Sequence, residues 1–204
     1  MAVQSFVAGG KIDEDIVDGV MEFWNDCTYL DKVPGESNHG ANKIIKESTD
    51  MAVPSFIKDP RIVKYLDAVQ GAITLYVDQY PWASMSELEI IEPFNIQHYK
   101  PGEGFFAEHY ERNGNFYYDR VLVFMTYLND VEDGGGTHFR FQNLTTKAKK
   151  GLTLLWPSDF THIHNGIVSP TEHKYIATGW FNYLCGVDSY FEGVRDQMRN
   201  EENV

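Results

Sequence analysis

The sequence predicts a mainly β fold flanked by helices (α+β), and three observations carry that prediction. A near-continuous run of β-branched and aromatic residues, RVLVFMTYL at 120–128, has the composition of a strand buried on both faces. Short segments of similar character recur at 88–99, 105–111, 137–141, 152–156, 161–168 and 174–183, each set off by turn residues, the spacing of a barrel or sandwich. Ahead of them, helical periodicity dominates. A length of 204 residues fits one domain with a full core. The expected division is a helical support region at 1–86, a barrel core at 87–184 and a C-terminal helix or tail at 185–204.

Taken in order, Asp13 is placed to cap a short helix whose apolar residues Ile16, Val17, Val20, Met21 and Trp24 recur at helical spacing. A Gly/Pro/Ser/Asn-rich loop, DKVPGESNHGANK, follows. The segment 42–52 is compatible with a strand, but its periodicity is poor. Asp59-Pro60 is a helix start, a cap residue with proline at the first helical position. Ile62, Leu66, Val69, Ile73 and Tyr76 then form a stripe suited to core packing, and Pro81 ends it. In 88–99, Ile90, Phe94 and Ile96 share one parity and Asn95, Gln97 and Tyr99 the other. After the turn at 101–104, Phe105, Ala107, His109 and Glu111 share one face of the next strand candidate. In 174–183, Lys174, Ile176, Thr178 and Trp180 share the inward parity. A polar helix is expected at 188–200.

Composition narrows the function. Hydrophobic residues at 43% and charged residues at 23% are ordinary for a globular chain, while 14% aromatics suits β-structure or a lined pocket. A net charge of −13 disfavours sequence-independent binding to nucleic acid or anionic lipid. Cys27 and Cys185 make no disulfide framework and no cysteine zinc site, and read as inert thiols. The first residues lack the pattern of a signal peptide, and no apolar run is long enough for a transmembrane helix. A soluble cytoplasmic protein is expected, with no nucleic-acid or membrane partner.

The chemistry-bearing feature is His109-Tyr110-Glu111. On a strand, residues i and i+2 point to one face, so an imidazole and a carboxylate can grip one metal ion. Alone it is weak: 7 His and 30 acidic residues give about one such spacing by chance, and a surface pair is its ordinary reading. His162 and His164, two apart on a later strand candidate, offer a third ligand. Two His and one carboxylate with open positions is the facial triad of non-haem Fe(II) oxygenases. Lys174, inward-facing, is costly unless it meets an anion. A dicarboxylate held by iron at one end and by this ammonium at the other would satisfy both.

Four segments carry a resemblance: QHYKPGEGFFAEHYE, VFMTYLNDVEDGGGTHF, GLTLLWPSDFTHIHNGIVSP and HKYIATGWFNY. In this order they resemble the catalytic core of the 2-oxoglutarate- and Fe(II)-dependent oxygenases, from about residue 90 to 183, and more narrowly the prolyl 4-hydroxylase-like branch. The resemblance implies a double-stranded β-helix (jelly-roll) barrel supported by the N-terminal helices. It implies His109, Glu111 and His164 as iron ligands, Lys174 on the distal carboxylate of 2-oxoglutarate, and Tyr99 hydrogen-bonded to the same co-substrate. Thr178 and Trp180 would line the interior nearby. Thr137 matches a family position, with a direct role and simple packing both open.

One departure stands out: the usual carboxylate is Asp, and here it is Glu111, whose extra methylene moves the carboxylate by more than about an ångström unless the strand or rotamer compensates. The implied cofactors are Fe(II), with 2-oxoglutarate and O₂ as co-substrates and ascorbate as a further candidate. The expected reaction is hydroxylation of a prolyl residue in a peptide or protein, releasing succinate and CO₂. The alternatives are a free amino acid or other small molecule as substrate, or a non-catalytic binding domain. Tyr117, Tyr118 and Trp180 are candidates to stack on a proline ring or to pack internally. A monomer or homodimer is expected.

Overall fold

The computed structural model describes residues 4–36, 40, 42–113 and 117–184. Among them the chain runs through β1 (Ala8–Lys11), α1 (Glu14–Asp26), β2 (Val33–Pro34), β3 (Lys46–Glu47), β4 (Thr49–Val53) and α2 (Pro60–Gln79). After a 3₁₀ turn at Pro81–Ser84 come β5 (Leu88–Glu89), β6 (Phe94–Tyr99), β7 (Gly104–Phe105), β8 (Arg120–Tyr127) and β9 (Thr137–Phe139). The remainder is β10 (Leu144–Thr145), β11 (Leu152–Pro157), a 3₁₀ turn at Phe160–His162, β12 (His164–Gly166) and β13 (Lys174–Tyr183).

Strand β8 sits in the middle of an antiparallel sheet ordered β1-β11-β8-β13-β6-β4-β2, with β5 pairing to β13. Its central position explains its unbroken apolar character, since both faces are covered. On one face lie the helices. Val17, Val20, Phe23 and Trp24 of α1 and Ile62, Tyr65, Val69, Ile73 and Tyr76 of α2 pack on Met51, Phe94, Ile96, Phe124, Ala177 and Phe181. Burial of each such side chain contributes roughly 1.5–3 kcal/mol. Gly179 permits this contact, because a Cβ there would lie 2.6 Å from Phe124 and 2.7 Å from Phe94.

The opposite face carries Tyr99, Val123, Met125, Tyr127, Leu154, Trp156 and Ile176, packed with Phe139 of the second sheet. That second sheet is ordered β10-β9-β12, and a separate pair joins β3 to β7. Together they form the second wall of a jelly-roll barrel. The period-2 alternation thus sends one parity of β6 and β13 under the helices and the other into the barrel. Lys174, Ile176, Thr178 and Trp180 share the interior with Asn95, Gln97 and Tyr99, as the alternation and the resemblance together predict.

The structure departs from the sequence expectation in five places. Residues 1–86 are not simply helical support: β1 and β4 are members of the main sheet, with β4 paired to β6 and β1 to β11. Segment 88–99 is broken at Glu92-Pro93, since proline lacks the N–H a ladder needs. Segment 105–111 is a strand only at Gly104–Phe105, and 161–168 is a 3₁₀ turn followed by β12. Asp59 caps α2 by accepting a hydrogen bond from Arg61 N, whereas Asp13 makes no side-chain cap. The helix expected at 188–200 and Cys185 lie outside the described residues. No helix among the described residues is long and apolar enough to cross a membrane.

Candidate metal centre

His109 and His164 are joined by their backbones before their side chains do anything. His109 N donates to His164 O and His164 N to His109 O, each at 2.9 Å, an isolated antiparallel bridge. A hydrogen-bonded antiparallel pair presents both side chains on one face. Two residues on, Glu111 N and Arg112 N both donate to Ser158 O, at 3.1 and 3.0 Å. The platform expected from a continuous strand is therefore assembled from a single bridge and a carbonyl clamp.

Each imidazole is then oriented by its own chain. His109 Nδ1 donates to Ala107 O at 3.0 Å, and His164 Nδ1 to His162 O at 2.8 Å. A carbonyl only accepts, so both Nδ1 atoms carry the proton and both Nε2 lone pairs face inward. Those Nε2 atoms lie 3.4 Å (His109) and 3.6 Å (His164) from Glu111 Oε1. One donor atom from each residue lies within 4.8 Å of the others. Phe105 stacks on His109 at 3.6 Å between centroids, and Trp156 and Phe139 flank His164. Burial pushes the His164 imidazole below its usual pKa, with His109 acting in the same direction. Burial alone would raise the Glu111 carboxyl. When the two imidazoles take up a second proton on Nε2, their hydrogen bonds and charge outweigh it and hold that carboxyl well below the usual range.

The other carboxylate oxygen is engaged elsewhere. Trp180 Nε1 donates to Glu111 Oε2 at 3.1 Å, and Arg120 Nη1 lies 3.9 Å from the same atom. Arg120 is itself buried, its guanidinium 3.4 Å from the Trp180 ring centroid and 3.9 Å from that of Tyr117. Glu92 takes it bidentately, at 2.8 Å to Nε and 2.5 Å to Nη2, and Asn182 Nδ2 donates to Glu92 at 2.8 Å.

The donors open into a cavity of about 820 Å³ whose far end is Lys174. Its ammonium is buried and lies 4.7 Å from the Tyr99 ring centroid. Among the described residues it makes no hydrogen bond or ion pair, and burial lowers its pKa to about 8. Tyr99 OH donates to Gln97 Oε1 at 2.6 Å, and Gln97 Nε2 reaches Asp50 at 3.4 Å. Asp50 pairs with Lys46 at 2.5 Å. Burial, with Asp50 and Glu111 nearby, raises Tyr99 well above its usual pKa, so it stays a phenol and a donor.

His109, Glu111, His164, Tyr99, Lys174, Thr178 and Trp180 thus border one cavity, as does Thr137. Thr178 OH donates to Phe124 O at 3.1 Å, and Thr137 exchanges a 2.8 Å hydrogen bond with Tyr127 OH. Trp180, expected to line the interior near the co-substrate, borders the cavity and donates its indole N–H to the Glu111 carboxylate. His162 does not share the interior with His164. Its ring Nε2 bonds to Ser5 O at 2.9 Å, and its contribution to the centre is its carbonyl. Sequence reading missed Arg120, Gln97 and the Lys46–Asp50 pair. A charge opening an apolar run was a signal for Arg120, and shared parity with Tyr99 was one for Gln97; the aperiodic 42–52 segment offered none for Lys46 and Asp50.

Comparison with known proteins agrees with this geometry. Residues 94–182 match the model of the 2OG-Fe(II) oxygenase superfamily. An Arabidopsis thaliana protein named "Probable prolyl 4-hydroxylase 9" is 30% identical over an alignment covering 54% of this chain and 47% of the relative. The chain therefore spans about half the length of that relative. A Pseudomonas putida prolyl-4-hydroxylase superposes with a TM-score of 0.65 at 16% identity, covering 87% of this chain and 92% of its own. A Trichoplax adhaerens prolyl hydroxylase, solved with a hypoxia inducible factor oxygen degradation domain peptide fragment, gives 0.69 at 15% identity, covering 88% and 84%. At such identities the two structures speak for the fold alone. Residues 94–182, which hold the three converged donors, thus match the 2OG-Fe(II) oxygenase superfamily, and the chain is similar in sequence to a prolyl 4-hydroxylase and in fold to prolyl hydroxylases.

Proposed function

We propose that this chain is an Fe(II)- and 2-oxoglutarate-dependent dioxygenase that hydroxylates a prolyl residue in a peptide or protein. The single observation that carries this reading is the pairing, in one cavity, of a His/Glu/His donor set with a buried ammonium that has no hydrogen-bond or ion-pair partner among the described residues. Fe(II) fits the donor set: two imidazole nitrogens and one hard carboxylate oxygen, with the cavity side open. A closed structural site would present four protein ligands, and among the described residues no fourth joins this group. Bound there, Fe(II) would supply the O₂ activation that couples decarboxylation of 2-oxoglutarate to hydroxylation of a C–H bond.

The chain's residues do the rest. His109, Glu111 and His164 hold the metal in fixed orientation. Lys174 neutralises the distal carboxylate of 2-oxoglutarate, and Tyr99 donates a hydrogen bond to the same molecule by leaving Gln97. Ile176, Thr178 and Met125 line the same cavity, and the apolar side chains among them disfavour water there. Trp180 and Tyr117, which both stack on Arg120, line the same cavity and offer aromatic surface suited to a proline ring. The prolyl hydroxylase character of the relatives supports the choice of substrate.

The test is anaerobic addition of Fe(II) and 2-oxoglutarate to the full chain. A weak visible charge-transfer band is expected, and it should vanish in His164→Ala. Its absence from a folded wild-type chain would refute the assignment. With O₂, a proline-containing peptide should gain one oxygen atom with matching succinate. Turnover confined to free amino acids would move the substrate to the small-molecule class.

A further inference from the structure

We infer that Trp180 is a positioning residue for Glu111, and that the cavity is built to require glutamate, rather than aspartate, at the carboxylate position. The inference rests on the metal-centre reading above and adds what this chain does about its long ligand.

The two oxygens of Glu111 face different surroundings. Oε1 is the one shared between the imidazoles, 3.4 Å from His109 Nε2 and 3.6 Å from His164 Nε2. Oε2 is turned away and takes the Trp180 indole N–H at 3.1 Å. Trp180 is well held for this purpose. Its ring stacks on Arg120, and Arg120 is fixed by the bidentate Glu92 carboxylate and by Ser158 Oγ, which donates to Arg120 O at 2.6 Å. Ser158 O in turn receives Glu111 N at 3.1 Å, so the same short stretch after β11 sets both the ligand's backbone and the arginine behind the tryptophan.

A glutamate left to itself has one more rotatable bond than aspartate and a larger conformational spread. Fastening Oε2 removes that freedom and leaves Oε1 as the oxygen that faces the donors. An aspartate on the same backbone is shorter by a methylene. It can reach toward the imidazoles or toward Trp180, but not both, so the indole N–H would lose its acceptor inside a largely enclosed wall. The distances from Oε1 to the two Nε2 atoms and from Oε2 to Trp180 are satisfied together only by the longer side chain.

The experiment is a double-mutant cycle on metal affinity, with Co(II) as the probe in place of Fe(II), using the full chain without O₂. Wild type, Trp180→Phe, Glu111→Asp and the double variant are titrated by calorimetry and by the Co(II) ligand-field spectrum. Trp180→Phe is expected to weaken binding about tenfold and to shift the spectrum, because the carboxylate is released. Glu111→Asp is expected to weaken it at least as much, and the double variant to bind like Glu111→Asp alone. General damage from losing an indole would cost the same factor in both backgrounds, and that additivity would overturn the proposal. Equal or tighter Co(II) binding by Glu111→Asp, or by Trp180→Phe, would also overturn it. Should Glu111→Asp bind too weakly to measure, the spectrum decides, an unshifted spectrum in Trp180→Phe counting against the proposal. A wild-type chain showing no Co(II) uptake sensitive to His164→Ala would instead refute the metal reading, and the positioning role of Trp180 with it.

Discussion

The two ends of the cavity are built on opposite principles. At the donor end the polar atoms turned away from the donor position have protein partners: both Nδ1 atoms on carbonyls, Glu111 Oε2 on Trp180, Arg120 on Glu92. At the far end, Lys174 carries a buried ammonium with no such partner among the described residues. The first is a preorganised cradle whose geometry exists before anything binds. The second is a standing cost that an anion removes on binding. The difference teaches where substitution should harm the protein and where it should help it.

The largest effect that would sharpen this contrast is on co-substrate affinity. Lys174→Ala should raise the 2-oxoglutarate concentration needed for the visible band by about 10²–10³-fold, the loss expected when a buried charge keeps no counter-ion. Co(II) affinity should stay unchanged. A joint loss of both would mean that the two ends are one structural unit and break the comparison. The pH dependence follows from the same group. Only the ammonium form pairs with a carboxylate, and its pKa in the free protein is about 8. Affinity for 2-oxoglutarate should be flat below that pH and fall above it, approaching tenfold per pH unit. A titration that stays flat to pH 9.5 would remove Lys174 from the site.

Stability should move in the opposite direction. The folded state lowers the pKa of Lys174 to about 8 from 10.5 in the open chain. Between those values the unfolded chain binds the extra proton, so the penalty is full below pH 8 and disappears toward 10.5. Lys174→Met should therefore raise the melting temperature of the metal-free protein at pH 7, by about 2–4 °C for each kcal/mol recovered, and the gain should shrink as pH rises. A drop at pH 7 would show that the ammonium is not a cost. The smallest effect expected is that of Tyr99→Phe, which removes one neutral hydrogen bond. It should weaken 2-oxoglutarate several-fold, about 1 kcal/mol, with little change in Co(II) binding.

How legible this was from the sequence depends on the range over which each feature is determined. Strand parity is local, so alternation groups Lys174, Thr178 and Trp180 on one strand face and Asn95, Gln97 and Tyr99 on another, while the resemblance is what joins the two faces; the α2 stripe and its Asp59-Pro60 start are equally plain. The donor set was legible through spacing and resemblance, with Glu111 marked as an oddity. The support for that oddity was not legible. Trp180 and Glu111 lie 69 residues apart, and no pattern in either segment points to the other.

The sequence by itself determined which residues alternate inward, which carry charge into a dry interior, and that an imidazole and a carboxylate stand two apart. Those properties follow from the two-residue period of extended chain and from the cost of burying charge, and neither needs a partner strand to be known. Only the tertiary structure decided that His109 meets His164 through a single backbone bridge, that His162 contributes a carbonyl rather than a ring, and that β1 and β4 belong to the main sheet. It also decided that the two oxygens of Glu111 have separate duties. These are matters of which distant backbone groups satisfy one another, and that depends on strand order and register, which no local period specifies.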